Sequence, residues 1–349
     1  MVTAVRELTF NQAINEAIRQ EMRRDPTVIV IGEDVSGAGG RAHLGFEDGW
    51  AASLKTRGLF AEFGPDRVID APIAEMGFTG VGVGAAMTGL RPIVDLTFID
   101  LIGCCYDQIA NQAAKMHYMM GGKVDVPVTF RMGYGSRGGG GQTYGGGAAA
   151  QHSQTQYSIL AHVPGLKVVV PTTAYNAKGL MIAAIRDGGP VVFLDHKFLG
   201  PVARGPVPED EYTVPIGKAE VVRPGRDVTL CAIGLMTHVC LETAQNLAAE
   251  GIEAEVVDVL TLAPLDEETI LESVTKTRRL IVVDEDTPTA SMARDIAARM
   301  ADRGFDYLDA PIKTITAPEA PVPFAAALEA YYQPRPADVA SVVHDLLGR

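Results

Sequence analysis

Short runs rich in valine and isoleucine alternate with helix-length stretches along the whole of this chain. That alternation restricts the fold more than any single motif does. A strand buried on both faces reads as a near-continuous apolar run, and helices must cover it. Strands are expected at 27–31, 67–70, 92–96, 126–131, 166–170 and 191–194. Helices are expected between them at 9–25, 75–89, 102–118 and 174–186. A second series follows, with strands at 228–233, 254–258, 279–283 and 312–315 and helices at 238–250, 266–276 and 291–303. A chain of 349 residues exceeds one ordinary core and suits two domains of roughly 150–200 residues. The polar, proline-rich stretch 203–210 reads as the linker, which gives domains 1–204 and 205–349.

One acidic side chain stands out in the first half. Glu75 sits in Pro72-Ile73-Ala74-Glu75-Met76-Gly77-Phe78, just ahead of Thr79-Gly80-Val81-Gly82-Val83-Gly84-Ala85-Ala86. Pro72 holds the preceding residue extended, so a strand, a bend and then a helix from Glu75 are expected. The helix carries almost no side-chain bulk, so a backbone or a flat ligand can approach it closely. A carboxyl at its mouth would be desolvated, which favours the neutral form that can donate a hydrogen bond to a heterocyclic nitrogen. The plainer reading makes Glu75 a first-turn carboxylate facing the helix dipole.

A glycine tract, 138–147, precedes Ala150-Gln151-His152-Ser153-Gln154. A histidine flanked by amides and a hydroxyl suits proton transfer, although a structural loop histidine would look the same. Gly80-Val81-Gly82-Val83-Gly84 is not a dinucleotide fingerprint. Asp284-Glu285-Asp286 could bind a cation, but reads first as a solvated acidic strand end.

Other features narrow the class. No apolar run reaches the roughly 18 residues of a membrane helix, and the first residues lack a signal-peptide core, so a cytoplasmic protein is expected. The four cysteines show no metal or redox spacing and read as buried small apolar residues. Residues 1–204 balance 18 acidic against 18 basic side chains, whereas 205–349 hold 25 against 12. The acidic second half argues against nucleic acid and for a basic protein partner, or for simple solubility.

Several of these motifs together resemble the β subunit of the thiamine-diphosphate-dependent 2-oxo acid dehydrogenases. They are Pro72 to Phe78, Val83-Gly84-Ala85-Ala86-Met87, Gly89-Leu90-Arg91-Pro92, Asp107-Gln108-Ile109, Ala150 to Gln154 and Pro164-Gly165-Leu166-Lys167-Val168-Val169. Ala177-Lys178-Gly179-Leu180, Pro190-Val191-Val192-Phe193 and Pro318 to Phe324 continue the match. Gly32-Glu33-Asp34-Val35, the 47–64 insertion, Pro264 to Val274 and Ser291-Met292-Ala293 are most similar to the acetoin dehydrogenase type, with the pyruvate type close behind.

The resemblance implies two three-layer α/β domains, a thiamine-diphosphate pyrimidine-binding domain and a transketolase C-terminal-like domain. It implies an enzyme active only with an α subunit, in an α2β2 assembly. The α subunit would hold magnesium and the diphosphate, in keeping with the lack of Gly-Asp-Gly in this chain. Glu75 would bond the aminopyrimidine nitrogen, and His152 would guide protons or orient a lipoyl group. Thr97, Leu101 and Cys104 would line the pyrimidine pocket, with Leu101 in place of an aromatic residue. Val128, Ala184, Ile185, Asp187 and Gly189 match a potassium site, in a stretch that also reads as a plain helix C-terminus. The substrate would be acetoin or a 2-oxo acid, pyruvate and branched-chain acids included. The acyl group would pass to a lipoyl-bearing dihydrolipoyl acyltransferase core docked on the acidic C-terminal domain. The alternative is a mainly structural docking subunit.

Overall fold

The computed structural model describes residues 6–36, 55–136 and 148–348. The glycine tract and residues 47–54 of the 47–64 insertion lie outside the described residues. Two compact units emerge. One comprises residues 1–134, 159–195 and 199–216; the other comprises 135–158, 196–198 and 217–349.

The first unit is built on a sheet whose strands run in the order Lys167–Val169, Val191–His196, Thr129–Tyr134, Arg91–Phe98, Val28–Glu33, Val68–Ala71. Val28–Glu33 pairs in parallel with both Val68–Ala71 and Arg91–Phe98, and Arg91–Phe98 pairs in parallel with Thr129–Tyr134. Val191–His196 and Thr129–Tyr134 are buried at every position, their polar Asp195, His196, Thr129 and Arg131 included. Helix Phe10–Arg24 begins at Thr9, whose hydroxyl and Gln12 form a capping box. It packs beside helix Ala174–Arg186, and buried Glu21 on the first helix is bonded by Arg186 on the second.

Stretch 203–210 is not a free linker. Arg204–Val207 is a strand paired antiparallel with Arg6–Thr9. Just beyond it, the fully buried ammonium of Lys178 collects the carbonyls of Pro208, Glu209 and Asp210 at 2.7–3.0 Å. These bonds tie residues 208–210 to the first unit, which extends to Ile216. Composition alone suggested a linker because a two-stranded edge pairing leaves little apolar signature.

The expected helix at 102–118 is also broken. It forms a 3-10 turn at Ile99–Cys104, a π-helical turn at Gln108–Ala113 and an α-helix at Ala114–Met119. Gly165 lies against this last junction with φ +101°, and a Cβ there would collide with the carbonyl of Ala114. The helix therefore meets another backbone where its own pattern predicted continuity.

The second unit holds a five-stranded sheet in the order Lys313–Ile315, Leu280–Val283, Val228–Ala232, Ala254–Asp258, Glu220–Arg223. The first four strands pair in parallel. Glu220–Arg223 runs antiparallel at the edge, with an irregularity at Val256/Val257. Helices Met236–Ala248, Glu267–Thr277, Met292–Arg303, Ala326–Tyr332 and Pro336–Leu347 complete it. Among the described residues, no helix is long and apolar enough to cross a membrane.

Candidate active site

In a parallel sheet, ligand sites form beyond the carboxyl ends of the strands. Three such ends in the first unit carry candidate side chains, two of them expected from the sequence. Glu33 closes Val28–Glu33, Glu75 follows Val68–Ala71 at the start of helix Glu75–Met87, and Thr97 lies next to the last residue of strand Arg91–Phe98. Helix Glu75–Met87 has no side-chain cap. It packs tightly on the sheet at Gly82, where a Cβ would collide with Val94, while Gly84 faces open space. Ile73, Met76 and Val81 are exposed by 58–75%. Glu75 itself is half-buried. A small-residue helix with one carboxylate and an uncovered apolar surface fits a flat heterocycle sandwiched against another protein surface.

Glu33 escaped the sequence reading. Burial raises its carboxyl above the usual range, and the negative charges of Asp34 and Glu75 push it further. Its signal was weak, a single acidic residue at the end of an apolar strand.

Thr97 is held by a buried charge network. Its backbone is left-handed, with φ +57°, and its N–H donates to Asp95 Oδ1 at 3.0 Å. Arg131 Nη1 bonds both Asp95 oxygens at 2.9 and 3.1 Å, and its Nη2 bonds Asp195 Oδ2 at 2.8 Å. Lys55 also pairs with Asp195. Burial alone would raise Asp195, but Arg131 and Lys55 overcome it and hold the carboxyl below the usual range. Periodicity could not reveal this group, because its members lie on separate strands and a distant loop.

Leu101 and Cys104 occupy the 3-10 turn Ile99–Cys104. Cys104 is exposed, contrary to the expectation that all four cysteines are buried, because the broken helix turns it outward. Burial pushes the neighbouring Cys105 thiol up to about 11, so it stays protonated near neutrality.

The five residues matched to potassium gather around the C-terminus of helix Ala174–Arg186, and the protein already engages their groups. Arg91 Nη1 donates to the carbonyls of Ile185 and Asp187, each at 2.9 Å. Lys167 Nζ bonds the Asp187 carboxylate at 2.6 Å, and Gly189 N–H bonds it at 2.8 Å. The Ala184 and Val128 carbonyls accept from Asp187 N–H and Val191 N–H. A potassium ion there would share the remaining lone pairs with two protein cations.

His152 belongs to the second unit and is exposed. Nearby, within that unit, lies a cavity of about 360 Å3 lined by Ser136, Ser153, Gln154, Asp286, Glu319 and Tyr332, among others. The buried hydroxyls of Ser136 and Ser153 have no hydrogen-bond partner among the described residues. Asp284, Glu285 and Asp286 are 0%, 3% and 8% exposed, so the acidic strand end is buried rather than solvated. The hydrophobic run before it carries the chain into the core, and side-chain partners compensate the charge. Burial pushes Asp284 up to about 6. Burial, then the charge of Asp284, pushes Asp286 up to about 7. Both native values exceed the unfolded value of 3.8, so the folded state binds extra protons in between. Their stabilising contribution is complete at low pH and is lost as pH rises through about 6–7. The melting temperature of the wild type should therefore fall more between about pH 5 and pH 8 than that of Asp286→Asn. Parallel profiles would remove this account.

Comparison with known proteins gives the site its context. Residues 6–201 match the transketolase pyrimidine-binding domain, and residues 217–339 match the transketolase C-terminal domain. Over 346 residues the chain is 51% identical to the acetoin:2,6-dichlorophenolindophenol oxidoreductase subunit beta of Bacillus subtilis (strain 168), covering 98% of each. The chain belongs to this β-subunit family. It is the β-type component of a thiamine-diphosphate-dependent acetoin or 2-oxo acid dehydrogenase. This β subunit is also 43% identical to the pyruvate dehydrogenase E1 component subunit beta of Rhizobium meliloti (strain 1021), covering 98% of this chain and 70% of that protein. A solved "split gene transketolase, inactive beta4 tetramer" shares the fold at a TM-score of 0.72 and 24% identity, with 98% of each chain covered.

Proposed function

We propose that this β subunit, joined to an α subunit, cleaves acetoin and passes the acetyl group to a lipoyl carrier. The observation that carries the reading is Glu75, half-buried at the head of a small-residue helix beside an uncovered apolar face. The higher identity to an acetoin:2,6-dichlorophenolindophenol oxidoreductase β subunit than to a pyruvate dehydrogenase β subunit favours acetoin over pyruvate. Thiamine diphosphate supplies a carbanion nucleophile when bound. Glu75 would hold a proton against its pyrimidine ring, while Thr97, Leu101 and Cys104 would shape the surrounding wall. The same reading keeps magnesium with the α subunit and potassium at the turn around Asp187. The test of substrate is direct: the complex, assembled with its α partner, should turn over acetoin with 2,6-dichlorophenolindophenol as acceptor. Faster turnover of pyruvate or a branched-chain 2-oxo acid would reverse the assignment.

His152 would act at acyl transfer. His152→Ala should lower lipoyl-dependent turnover by about 10²-fold or more while the dye-linked reaction keeps most of its rate. Equal losses in the two assays would place His152 earlier in the reaction or make it structural.

The acidic second half would attract a basic docking domain of the acyltransferase core. All of the net charge of −13 arises after residue 204. Opposite potentials chiefly raise association rates and are screened by salt. The association rate should therefore fall steeply between about 0.01 and 0.15 M salt, as the Debye length shrinks from roughly 30 to 8 Å. A rate insensitive to salt would leave the acidic surface a solubility role only.

A further inference from the structure

His152 sits on an irregular stretch, residues 148–156, that has little regular structure of its own. A side chain on such a segment is only as well placed as the bonds that pin its backbone. Those bonds converge on one strand end. Thr155 Oγ1 donates to Asp286 Oδ1 at 2.9 Å, and the buried Tyr157 hydroxyl donates to Asp284 Oδ1. On the other side, Lys197 Nζ donates to the His152 carbonyl. Lys197 is itself fixed by its neighbour. His196 Nδ1 accepts from Phe198 N–H at 3.1 Å, which leaves Nε2 as the donor to Glu285 Oε1 at 2.8 Å. Gly135 has φ +83° and lies so close that a Cβ would collide with both His196 and Glu285. Its N–H closes the bracket on the Gln154 carbonyl at 3.0 Å.

The three carboxylates are in turn rigidly held. Asp284 accepts from the N–H groups of Asp286 at 3.0 Å and Ala293 at 3.3 Å; Asp286 accepts from Thr287 N–H at 2.8 Å. Gln333 Nε2 bonds Glu285 Oε2 at 3.1 Å. Thus three consecutive residues after strand Leu280–Val283 grip the His152 segment on both flanks, through Thr155 and Tyr157 and through the His196–Lys197 turn.

We propose that Asp284 and Asp286 are positioning residues for His152, acting through the hydroxyls of Tyr157 and Thr155. The proposal rests on the acyl-transfer reading of His152 given above. Neither carboxylate touches the reacting atoms. Their role is to keep the histidine's backbone from drifting, since misplacement by about 1 Å can cost a reaction some 10²-fold. A buried strand end with three acidic residues, costly to maintain without partners, then has a functional purpose.

The test uses the assembled αβ complex and the variants Thr155→Val, Thr155→Ser and Tyr157→Phe, each made alone and with His152→Ala. Thr155→Val and Tyr157→Phe should lower kcat for the lipoyl acceptor about 10–100-fold, with KM and the dye-linked rate near wild type. Thr155→Ser should restore the rate, because it returns the hydroxyl. Added to His152→Ala, neither variant should cause a further loss. Full additivity, or equal losses in both assays, would overturn the proposal. Hydrogen exchange of residues 148–158 gives a readout independent of the role of His152. It should quicken in Thr155→Val and Tyr157→Phe while the sheet stays protected. Unchanged exchange there would overturn the anchoring whatever the kinetics show. A His152→Ala variant with no selective loss, alongside quickened exchange, would instead refute the acyl-transfer reading and remove the catalytic purpose of the anchor.

Discussion

Glu75→Gln, assembled with the α subunit, should retain less than about 1% of wild-type turnover, since positioned acid–base groups contribute roughly 10²–10⁴-fold. Thiamine diphosphate affinity should change by less than about tenfold, because the variant keeps the shape of the side chain and loses only its proton-exchanging carboxyl. The motive is placement. Glu75 is the acidic residue of the helix's first turn, at a carboxyl edge of the sheet, and Glu33 is close enough to feel its charge. Isothermal titration with the cofactor and steady-state turnover separate the two effects. Turnover well above the stated limit would leave Glu75 as a helix-dipole carboxylate and no more. A large loss of cofactor affinity with intact turnover of the remaining bound fraction would make it a binding residue.

Arg131→Met should be the most damaging substitution to the fold of the first unit. Arg131 is 4% exposed, and its guanidinium neutralises Asp95 and Asp195 at once. Removing one member of a buried pair typically costs about 3–5 kcal/mol, because the partner's charge is left without compensation. Lys55 would still face Asp195, so Asp95 would suffer most. Asp95 in turn holds the strained backbone of Thr97, and cofactor binding in the complex should weaken along with stability. Denaturant unfolding measures the first effect and cofactor titration the second. Asp95→Asn in the Arg131→Met background should recover part of the stability by removing the orphan charge. A loss below about 1 kcal/mol would mean that the network contributes little beyond what a methionine packs.

The two effects differ in how far each was visible in the linear chain. The setting of Glu75 was legible because its neighbours announce it: a proline-bent approach, then a run of glycine, alanine and valine that no ordinary surface helix needs. His152 was singled out in the same local way, and the roles of both are the proposal made above. Arg131 was not, since a charged residue in an otherwise apolar strand has no meaning until Asp95 and Asp195 are brought alongside. The acidic run 284–286 was misread for a related reason. Charge by itself suggested solvent, whereas Tyr157, Thr155 and the backbone of 287 and 293 hold it in the interior.

The sequence by itself determined the parallel α/β class, most of the strands and helices, the family and the local environment of Glu75. Each of these rests on a periodicity or motif spanning a few consecutive residues, and so survives without knowledge of distant contacts. Tertiary structure alone decided the pairing of Arg6–Thr9 with Arg204–Val207, the break in the helix around residues 99–119 and the exposure of Cys104. It also decided which carboxylates are buried and what they hold. Those outcomes depend on atoms far apart in the chain, where a hydrogen bond to a buried charge or a collision with a distant carbonyl outweighs local preference.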